Sequence, residues 1–286
     1  MKPFAIAALQ LNLENSDNFD LIESKTRETL LRFPWVQMVV LSELAVGGAS
    51  KSTEFSLEHY LPKLKDIAKD LNIWFIPGSF YDHSERGTTN SSPVISPKGD
   101  VEIICHKTFP FLPYEKEVVS GSEACVFDIP DVGRFGLHIC YDLWFPESAR
   151  AMSLKGAEVL LHPSLTDTCD RDVEKSMVRA TAAQQQCYYI DVNAGGTQGC
   201  GLSIAVGPDG EILHEAGLGD EIILIEVDFD KVHRSRKRGF KGLGQPIKSY
   251  RDNPNPFKEE LKDDDYLKSL GPVSVPKREN NSKKNS

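Results

Sequence analysis

The sequence of 286 residues contains no apolar run close to the roughly 20 residues that a membrane-spanning helix needs. It also has no excess of basic residues, since 33 Lys and Arg stand against 42 Asp and Glu. A chain without a basic face cannot neutralise a series of phosphates, so we expect neither a nucleic-acid nor a membrane partner. No signal peptide precedes the first predicted strand, and we therefore expect a cytoplasmic protein.

Cysteines are few and are not paired at metal-ligand spacing. The six of them, at positions 105, 125, 140, 169, 187 and 200, include no CxxC pair. Zinc sites need ligand pairs at short spacing, and a cytoplasmic chain of this length keeps most thiols reduced. We therefore predict no metal site and no disulfide framework.

Strand and helix patterns alternate along the first 250 residues, which is typical of an α/β fold. Residues 39–41 and 159–162 have the character of short buried strands. Residues 92–95 and 101–105 flank a turn rich in Pro, Gly and Asp, which predicts a hairpin. The strands are too numerous for a single doubly wound layer.

A change in composition predicts where the folded domain ends. We predict one domain over residues 1–253 and a C-terminal extension over residues 254–286, because the sequence there becomes polar and rich in Pro. The last part of that extension is predicted to be disordered.

The first helix follows the first predicted strand, and Asn15 or Ser16 is predicted to cap it.

Cys140 ends a predicted buried strand over residues 134–140, and Pro146 is predicted to open a helix shortly after it. A thiol at such a junction lies near the positive end of a helix dipole, which favours the nucleophilic thiolate. The alternative interpretation is a buried cysteine that acts as a small apolar packing residue.

Two further strand ends carry groups that suit acid–base chemistry. Glu43 follows a buried strand, and a carboxylate there can serve as a general base. Lys107 follows the strand predicted near residues 101–105. Each residue alone has an ordinary structural interpretation, as a strand-end carboxylate or as a surface charge.

Together these residues give the chain a resemblance to the nitrilase superfamily of carbon–nitrogen hydrolases, whose catalytic residues are a Glu, a Lys and a Cys in that order. The order, the spacing and the strand-end context make the resemblance specific. The motifs that carry it are Leu41-Ser42-Glu43, His106-Lys107, Ile139-Cys140-Tyr141-Asp142 and Phe145-Pro146-Glu147.

The resemblance implies a four-layer α–β–β–α sandwich and a thiol hydrolase that needs no cofactor or metal. It implies that Cys140 attacks an amide carbonyl to form a thioester, and that Glu43 shuttles the protons. Lys107 and the backbone N–H of Tyr141 would hold the oxyanion. Members of the superfamily pair into dimers, so we expect a homodimer or a higher homo-oligomer.

Many members have a second glutamate before the cysteine, and Glu115 and Glu117 both qualify here. We favour Glu115 because its spacing from Cys140 fits the family pattern. A Cys–His dyad with His138 is disfavoured, because His138 shares a strand with Cys140 instead of coming from a separate loop.

Tyr141-Asp142 after the cysteine resembles the amidase and carbamoylase branches, so a small amide or an N-carbamoyl compound is the expected substrate. Trp144 could alternatively anchor the helix that it precedes. A nitrilase, an acyltransferase and a non-catalytic binding or regulatory protein remain alternatives. The residues expected to contact substrate are Tyr141, Trp144, Leu165, Thr166 and Asn193.

Overall fold

The structure is a computed structural model that describes residues 3–85, 87–253 and 272. Apart from residue 272, the predicted extension over residues 254–286 lies outside the described residues. Within the described ranges, none of the helices has the length and apolar character that crossing a membrane requires.

Strands dominate the described part of the chain. They are β1 (Phe4–Gln10), β2 (Asn12–Leu13), β3 (Met38–Val40), β4 (Trp74–Ile76), β5 (Phe80–Ser84), β6 (Gly87–Ile95), β7 (Val101–His106), β8 (Cys125–Ile129), β9 (Gly133–Leu137), β10 (Val159–Ser164), β11 (Tyr188–Asn193), β12 (Gly195–Gly196), β13 (Ile204–Val206), β14 (Ile212–Glu215) and β15 (Glu221–Val227). The α-helices are α1 (Phe19–Arg32), α2 (Leu57–Leu71), α3 (Pro146–Leu154), α4 (Arg171–Gln185), α5 (Phe229–Arg238) and α6 (Pro246–Asp252).

Two sheets share one plan. In the first, the order is β15-β1-β3-β4-β6-β5, with β7 also paired to β6; in the second it is β14-β13-β11-β10-β9-β8. Each sheet has three neighbouring parallel strands, β1-β3-β4 and β9-β10-β11, flanked by antiparallel ones. The carboxyl ends of parallel strands meet at one edge of a sheet, which is where ligands bind in such folds.

Side-chain alternation along the buried strands produces the layers. In β1, Phe4, Ile6 and Ala8 face the second sheet, whereas Ala7 and Leu9 face the helices. Helices α1 and α2 cover the outer face of the first sheet, and α3 and α4 cover that of the second. The result is the predicted α–β–β–α sandwich.

Two local predictions were wrong. Helix α1 begins at Phe19, whose N–H donates to Asp17 at 2.9 Å, so neither Asn15 nor Ser16 caps it. The second concerns the cysteines.

A disulfide joins Cys105 on β7 of the first sheet to Cys125 on β8 of the second. This contradicts the expectation of a chain without disulfides. The physical reason is that the two strands meet across the sandwich, which brings the two Cα atoms to 5.6 Å, a separation that a disulfide spans.

The side chain of Phe135 lies in the apolar layer between the two sheets. Its fully buried ring stacks on Phe127 at 5.4 Å and meets Phe4 and Phe229 edge-on at 5.7 and 5.8 Å. We expect Phe135→Ala to lower the free energy of unfolding in urea by about 3–5 kcal/mol, because it leaves a cavity between two sheets. Leu31→Ala, at an 85% exposed position, is the control and should cost under about 0.5 kcal/mol. Equal effects of the two changes would contradict this account of the core.

Candidate active site

Residues from both sheets meet at one end of the sandwich. Glu43 follows β3, and its backbone N–H donates to the carbonyl of Ser164 at the end of β10, at 3.2 Å. Lys107 directly follows β7. The ends of these strands therefore bring Glu43 and Lys107 together, as was expected from their positions after predicted strands.

Lys107 lies between two carboxylates and is almost completely buried, at 2% exposure. Its Nζ is 2.8 Å from Glu43 Oε1 and 2.8 Å from Glu115 Oε2. Glu117 instead has an 83% exposed side chain and lies 3.9 Å from Lys51. Of the two candidate glutamates, the structure thus places only Glu115 beside Lys107.

Glu115 is fixed by donors on every side. Tyr81 Oη donates to its Oε1 at 2.9 Å, Asn90 Nδ2 at 3.1 Å, and the Phe111 N–H donates to its Oε2 at 2.6 Å. Although burial acts to raise the pKa of Glu115, the Lys107 ammonium and these hydrogen bonds lower it overall. Glu115 is therefore an ionised carboxylate at neutral pH.

Asn90 joins the two carboxylates, because its Nδ2 also donates to Glu43 Oε1 at 2.8 Å. Sequence reasoning missed both Asn90 and Tyr81. The available signal was a polar Asn inside the run of residues 87–95, which otherwise has the pattern of a strand.

Cys140 opens a 3₁₀ turn over Cys140–Trp144 instead of ending a strand, since β9 stops at Leu137. Its backbone has φ of 46°, the left-handed region that few residues other than glycine adopt. The residue as a whole is half-buried, and its Sγ lies 4.0 Å from the Leu165 carbonyl.

The prediction of a thiolate favoured by a helix dipole was wrong. Burial raises the pKa of the Cys140 thiol well above its ordinary value, the Glu43 carboxylate adds to this, and the Lys107 ammonium acts against them. A single 3₁₀ turn does not outweigh these effects. At neutral pH the sulfur therefore carries its proton until a base removes it.

Asp142 connects the cysteine turn to the segment after Lys107. Its Oδ1 accepts from the N–H groups of Thr108 at 3.0 Å and Phe109 at 2.7 Å, and its Oδ2 accepts from the Ile139 N–H at 2.9 Å. Burial raises the pKa of Asp142 to about 6. The carboxylate thus fixes the relative positions of the strand ends that carry Lys107 and Cys140.

A cavity of about 300 Å³ opens beside the cysteine. Four of the residues predicted to contact substrate line it: Tyr141, Trp144, Leu165 and Thr166. Sequence reasoning missed the rest of the wall, which comes from two loops and the start of α4: Phe111, Tyr114, Asp167, Thr168, Asp170 and Glu174.

Trp144 lines the cavity, and its Nε1 donates to Glu174 Oε1 on α4 at 3.2 Å and not to α3, the helix that it precedes. Asn193 does not line the cavity, contrary to the prediction that it contacts substrate. It is fully buried, and its amide is used by the backbone: Oδ1 accepts from Thr166 N–H at 2.8 Å, and Nδ2 donates to the carbonyls of Thr166 and Gly201. Asn193 therefore holds the cavity wall from behind.

His138 points away from the thiol. Its Nδ1 lies 3.1 Å from Ser148 Oγ and its Nε2 lies 2.7 Å from Tyr189 Oη. Both ring nitrogens are thus occupied on the side of α3 and β11, which agrees with the prediction that His138 forms no dyad with Cys140.

Known proteins are similar to this chain in sequence. The omega-amidase NIT2 of Homo sapiens is 26% identical over 263 residues, which cover 83% of this chain and 93% of the relative. The N-carbamoylputrescine amidase of Solanum tuberosum is 28% identical over 202 residues, which cover 62% of this chain and 67% of the relative.

Solved structures agree in fold. Saccharomyces cerevisiae Nit3, described as a member of branch 10 of the nitrilase superfamily, has a TM-score of 0.76 at 24% identity, covering 82% of this chain and 94% of that one. A carbon–nitrogen hydrolase from Helicobacter pylori has a TM-score of 0.78 at 22% identity, covering 91% of this chain and 98% of that one.

A sequence model of the carbon–nitrogen hydrolase family matches residues 5–237, from the first strand to the end of the helix that closes the sandwich. This match covers both sheets and every residue that meets at the cysteine. The chain therefore belongs to the carbon–nitrogen hydrolase family, within the nitrilase superfamily.

Proposed function

We propose that the chain is a thiol hydrolase that cleaves a non-peptide C–N bond of a small amide or N-carbamoyl compound and releases ammonia or an amine. The observation that carries the proposal is the half-buried Cys140 in the wall of a cavity, electrostatically coupled to the buried cluster of Glu43, Lys107 and Glu115. The relatives that are named amidases support the proposal.

In the first step the thiol must lose its proton, since its pKa is raised. Glu43 takes that proton as Sγ bonds to the carbonyl carbon, and the electron pair of the C=O bond moves to oxygen. Lys107 has three N–H groups and gives two to carboxylates, which leaves one for the oxyanion. The backbone N–H of Tyr141 is the second donor.

In the second step the oxyanion collapses and the C–N bond breaks. The departing nitrogen takes the proton held by Glu43 and leaves as ammonia or an amine, and a thioester remains on Cys140. Glu43 then removes a proton from water as it attacks the thioester, and the sulfur leaves with the proton that Glu43 returns. Glu115 keeps Lys107 charged and in place throughout.

The charge of the cavity narrows the substrate class. Its wall contains the carboxylates of Asp167 and Asp170, together with Glu174, which Arg171 compensates at 3.2 Å from behind the wall, and four aromatic rings. The lining within the described residues includes no Lys or Arg. This combination favours a substrate whose far end carries an ammonium group and disfavours a carboxylate. The relatives named N-carbamoylputrescine amidase also support a substrate with an ammonium group, because N-carbamoylputrescine has a free amine at its other end.

An acyltransferase would pass the thioester to an amine with the same residues, and a nitrilase would use them on a nitrile. A binding protein has no physical need for a buried lysine between two carboxylates beside a thiol. The cytoplasmic location and the homodimer or higher homo-oligomer stay predictions.

Replacing the base should separate hydrolysis from thiol reactivity. We expect Glu43→Gln to lower kcat by at least about 10²-fold, because no group then accepts the thiol proton. The same change should move the alkylation of Cys140 by iodoacetamide to lower pH, since a negative charge that raises the pKa of Cys140 is gone.

Ammonia release measures the first quantity, and mass spectrometry of the Cys140 peptide against pH measures the second. The exposed Cys169 is an internal reference for reagent strength, and Cys140→Ala is the blank for hydrolysis. Wild-type kcat in Glu43→Gln would exclude Glu43 as the base.

The two glutamates provide a matched pair. We expect Glu115→Gln to lower kcat by at least about 10²-fold, because Lys107 loses a partner that holds it. Glu117→Gln, the same change at an exposed position, should leave kcat within about twofold. Activity is to be compared per folded protein by circular dichroism, and the reverse order would reassign the second glutamate.

A substrate series tests the charge of the cavity. We expect kcat/KM to fall in the order 5-aminopentanamide, hexanamide, glutaramate, because only the first places a cation near the carboxylates. Asp170→Asn should reduce the preference by about three- to tenfold, whereas Asp172→Asn, outside the cavity, should not. A preference for glutaramate in the wild type would refute the cationic substrate.

A further inference from the structure

A chain of buried charges lies beneath the peptide that follows Cys140. His162 on β10 and Asp191 on β11 stand opposite each other in the parallel register, and both are fully buried. The imidazole Nδ1 is 2.7 Å from Asp191 Oδ1, and Nε2 is 2.9 Å from the carbonyl oxygen of Cys140. The mechanism above does not use either residue.

Arg171, at the start of α4, completes the group. It pairs with the second carboxylate oxygen of Asp191 and lies 3.2 Å from Glu174, which lines the cavity. Two cations and two carboxylates thus compensate one another in the interior. Such a group is tolerated where isolated buried charges are not.

The partners of His162 determine its protonation. A peptide carbonyl can only accept a hydrogen bond, so Nε2 must carry a proton. Although burial acts to raise the pKa of Asp191, Arg171 and His162 lower it overall, so this carboxylate also only accepts and Nδ1 must carry a proton. Burial opposes the charge, but the hydrogen bond to Asp191 raises the pKa of His162 overall. His162 is therefore an imidazolium.

We propose that His162, held by Asp191, polarises the peptide between Cys140 and Tyr141 and so strengthens the Tyr141 N–H as an oxyanion donor. The Cys140 carbonyl and the Tyr141 N–H belong to the same peptide group. A charged donor on the oxygen withdraws electron density from the nitrogen, which makes its N–H a better donor.

The same bond orients the peptide. Cys140 has φ of 46°, and a conformation of this kind persists where the surroundings fix it. His162 contacts the carbonyl and not Sγ, so it is a positioning residue and not a base. This inference rests on the proposed function, because it concerns the oxyanion of that reaction.

The test compares His162→Leu, which removes the donor, with His162→Gln, which can donate without a charge. His138→Gln is the control, since its ring lies 4.8 Å from that of His162 but is hydrogen-bonded to Ser148 and Tyr189 instead of the peptide. Three quantities are measured: kcat/KM for hydrolysis, the affinity for butyraldehyde, and the limiting rate of Cys140 alkylation by iodoacetamide at high pH.

An aldehyde adds to the thiol as a hemithioacetal and places an oxygen in the oxyanion site, whereas alkylation by iodoacetamide develops no oxyanion. We expect kcat/KM and aldehyde affinity to fall together, by about 10- to 100-fold in His162→Leu and less in His162→Gln. The alkylation rate should stay within about twofold in both variants, and His138→Gln should change none of the three.

An equal loss of alkylation and aldehyde affinity would overturn the proposal, because it would mean that the thiol itself is displaced. Unchanged aldehyde affinity in His162→Leu would overturn it as well. Failure of the wild type to hydrolyse any amide would instead overturn the proposed function. In that case the aldehyde affinities alone still decide whether His162 acts on the peptide.

Discussion

The buried contact between Lys107 and the carboxylates of Glu43 and Glu115 is the constraint on which the site depends. One ammonium between two carboxylates leaves a net negative charge in a place with little water. Removing one partner of such a group costs about 3–5 kcal/mol, because the others are left buried and uncompensated. Burial is the main reason why the pKa of the nearby Cys140 thiol is raised, and the Glu43 carboxylate adds to it while the Lys107 ammonium acts against it. The cluster therefore determines the local stability and contributes to the resting state of the nucleophile.

The two sheets must stay in register for this cluster to exist, since Glu43 and Lys107 come from one sheet and Cys140 from the other. Polar contacts between the sheets serve this purpose: the Glu43 N–H reaches the Ser164 carbonyl, and Asp142 accepts from Thr108 and Phe109. The apolar layer around Phe135 holds the sheets face to face but does not fix their sliding. Directional hydrogen bonds at the ends of the strands do, because they have defined lengths and angles.

Much of the fold and of the candidate site was predictable from the sequence alone. Strand-end positions together with the family resemblance indicated Glu43, Lys107 and Cys140, and the succession of strand and helix patterns indicated an α/β fold. Spacing singled out Glu115, which the structure places against Lys107. Hydrophobic periodicity reports the environment of a residue but not its partner. For that reason the contacts of Tyr81, Asn90, His162 and Asp191, which join distant segments, could not be foreseen. The same limit explains the disulfide and the mistaken position of Asn193.

Phe111 belongs to two parts of the site at once. Its ring lines the cavity, and its backbone N–H holds Glu115. A substitution that reshapes this wall therefore also shifts the carboxylate that holds Lys107. The second wall, formed near Asp167 and Asp170, makes no hydrogen bond or ion pair with Glu43, Lys107 or Glu115 among the described residues. Substrate range can diverge through that second wall without loss of chemistry, while the first wall ties any new specificity to the reaction itself.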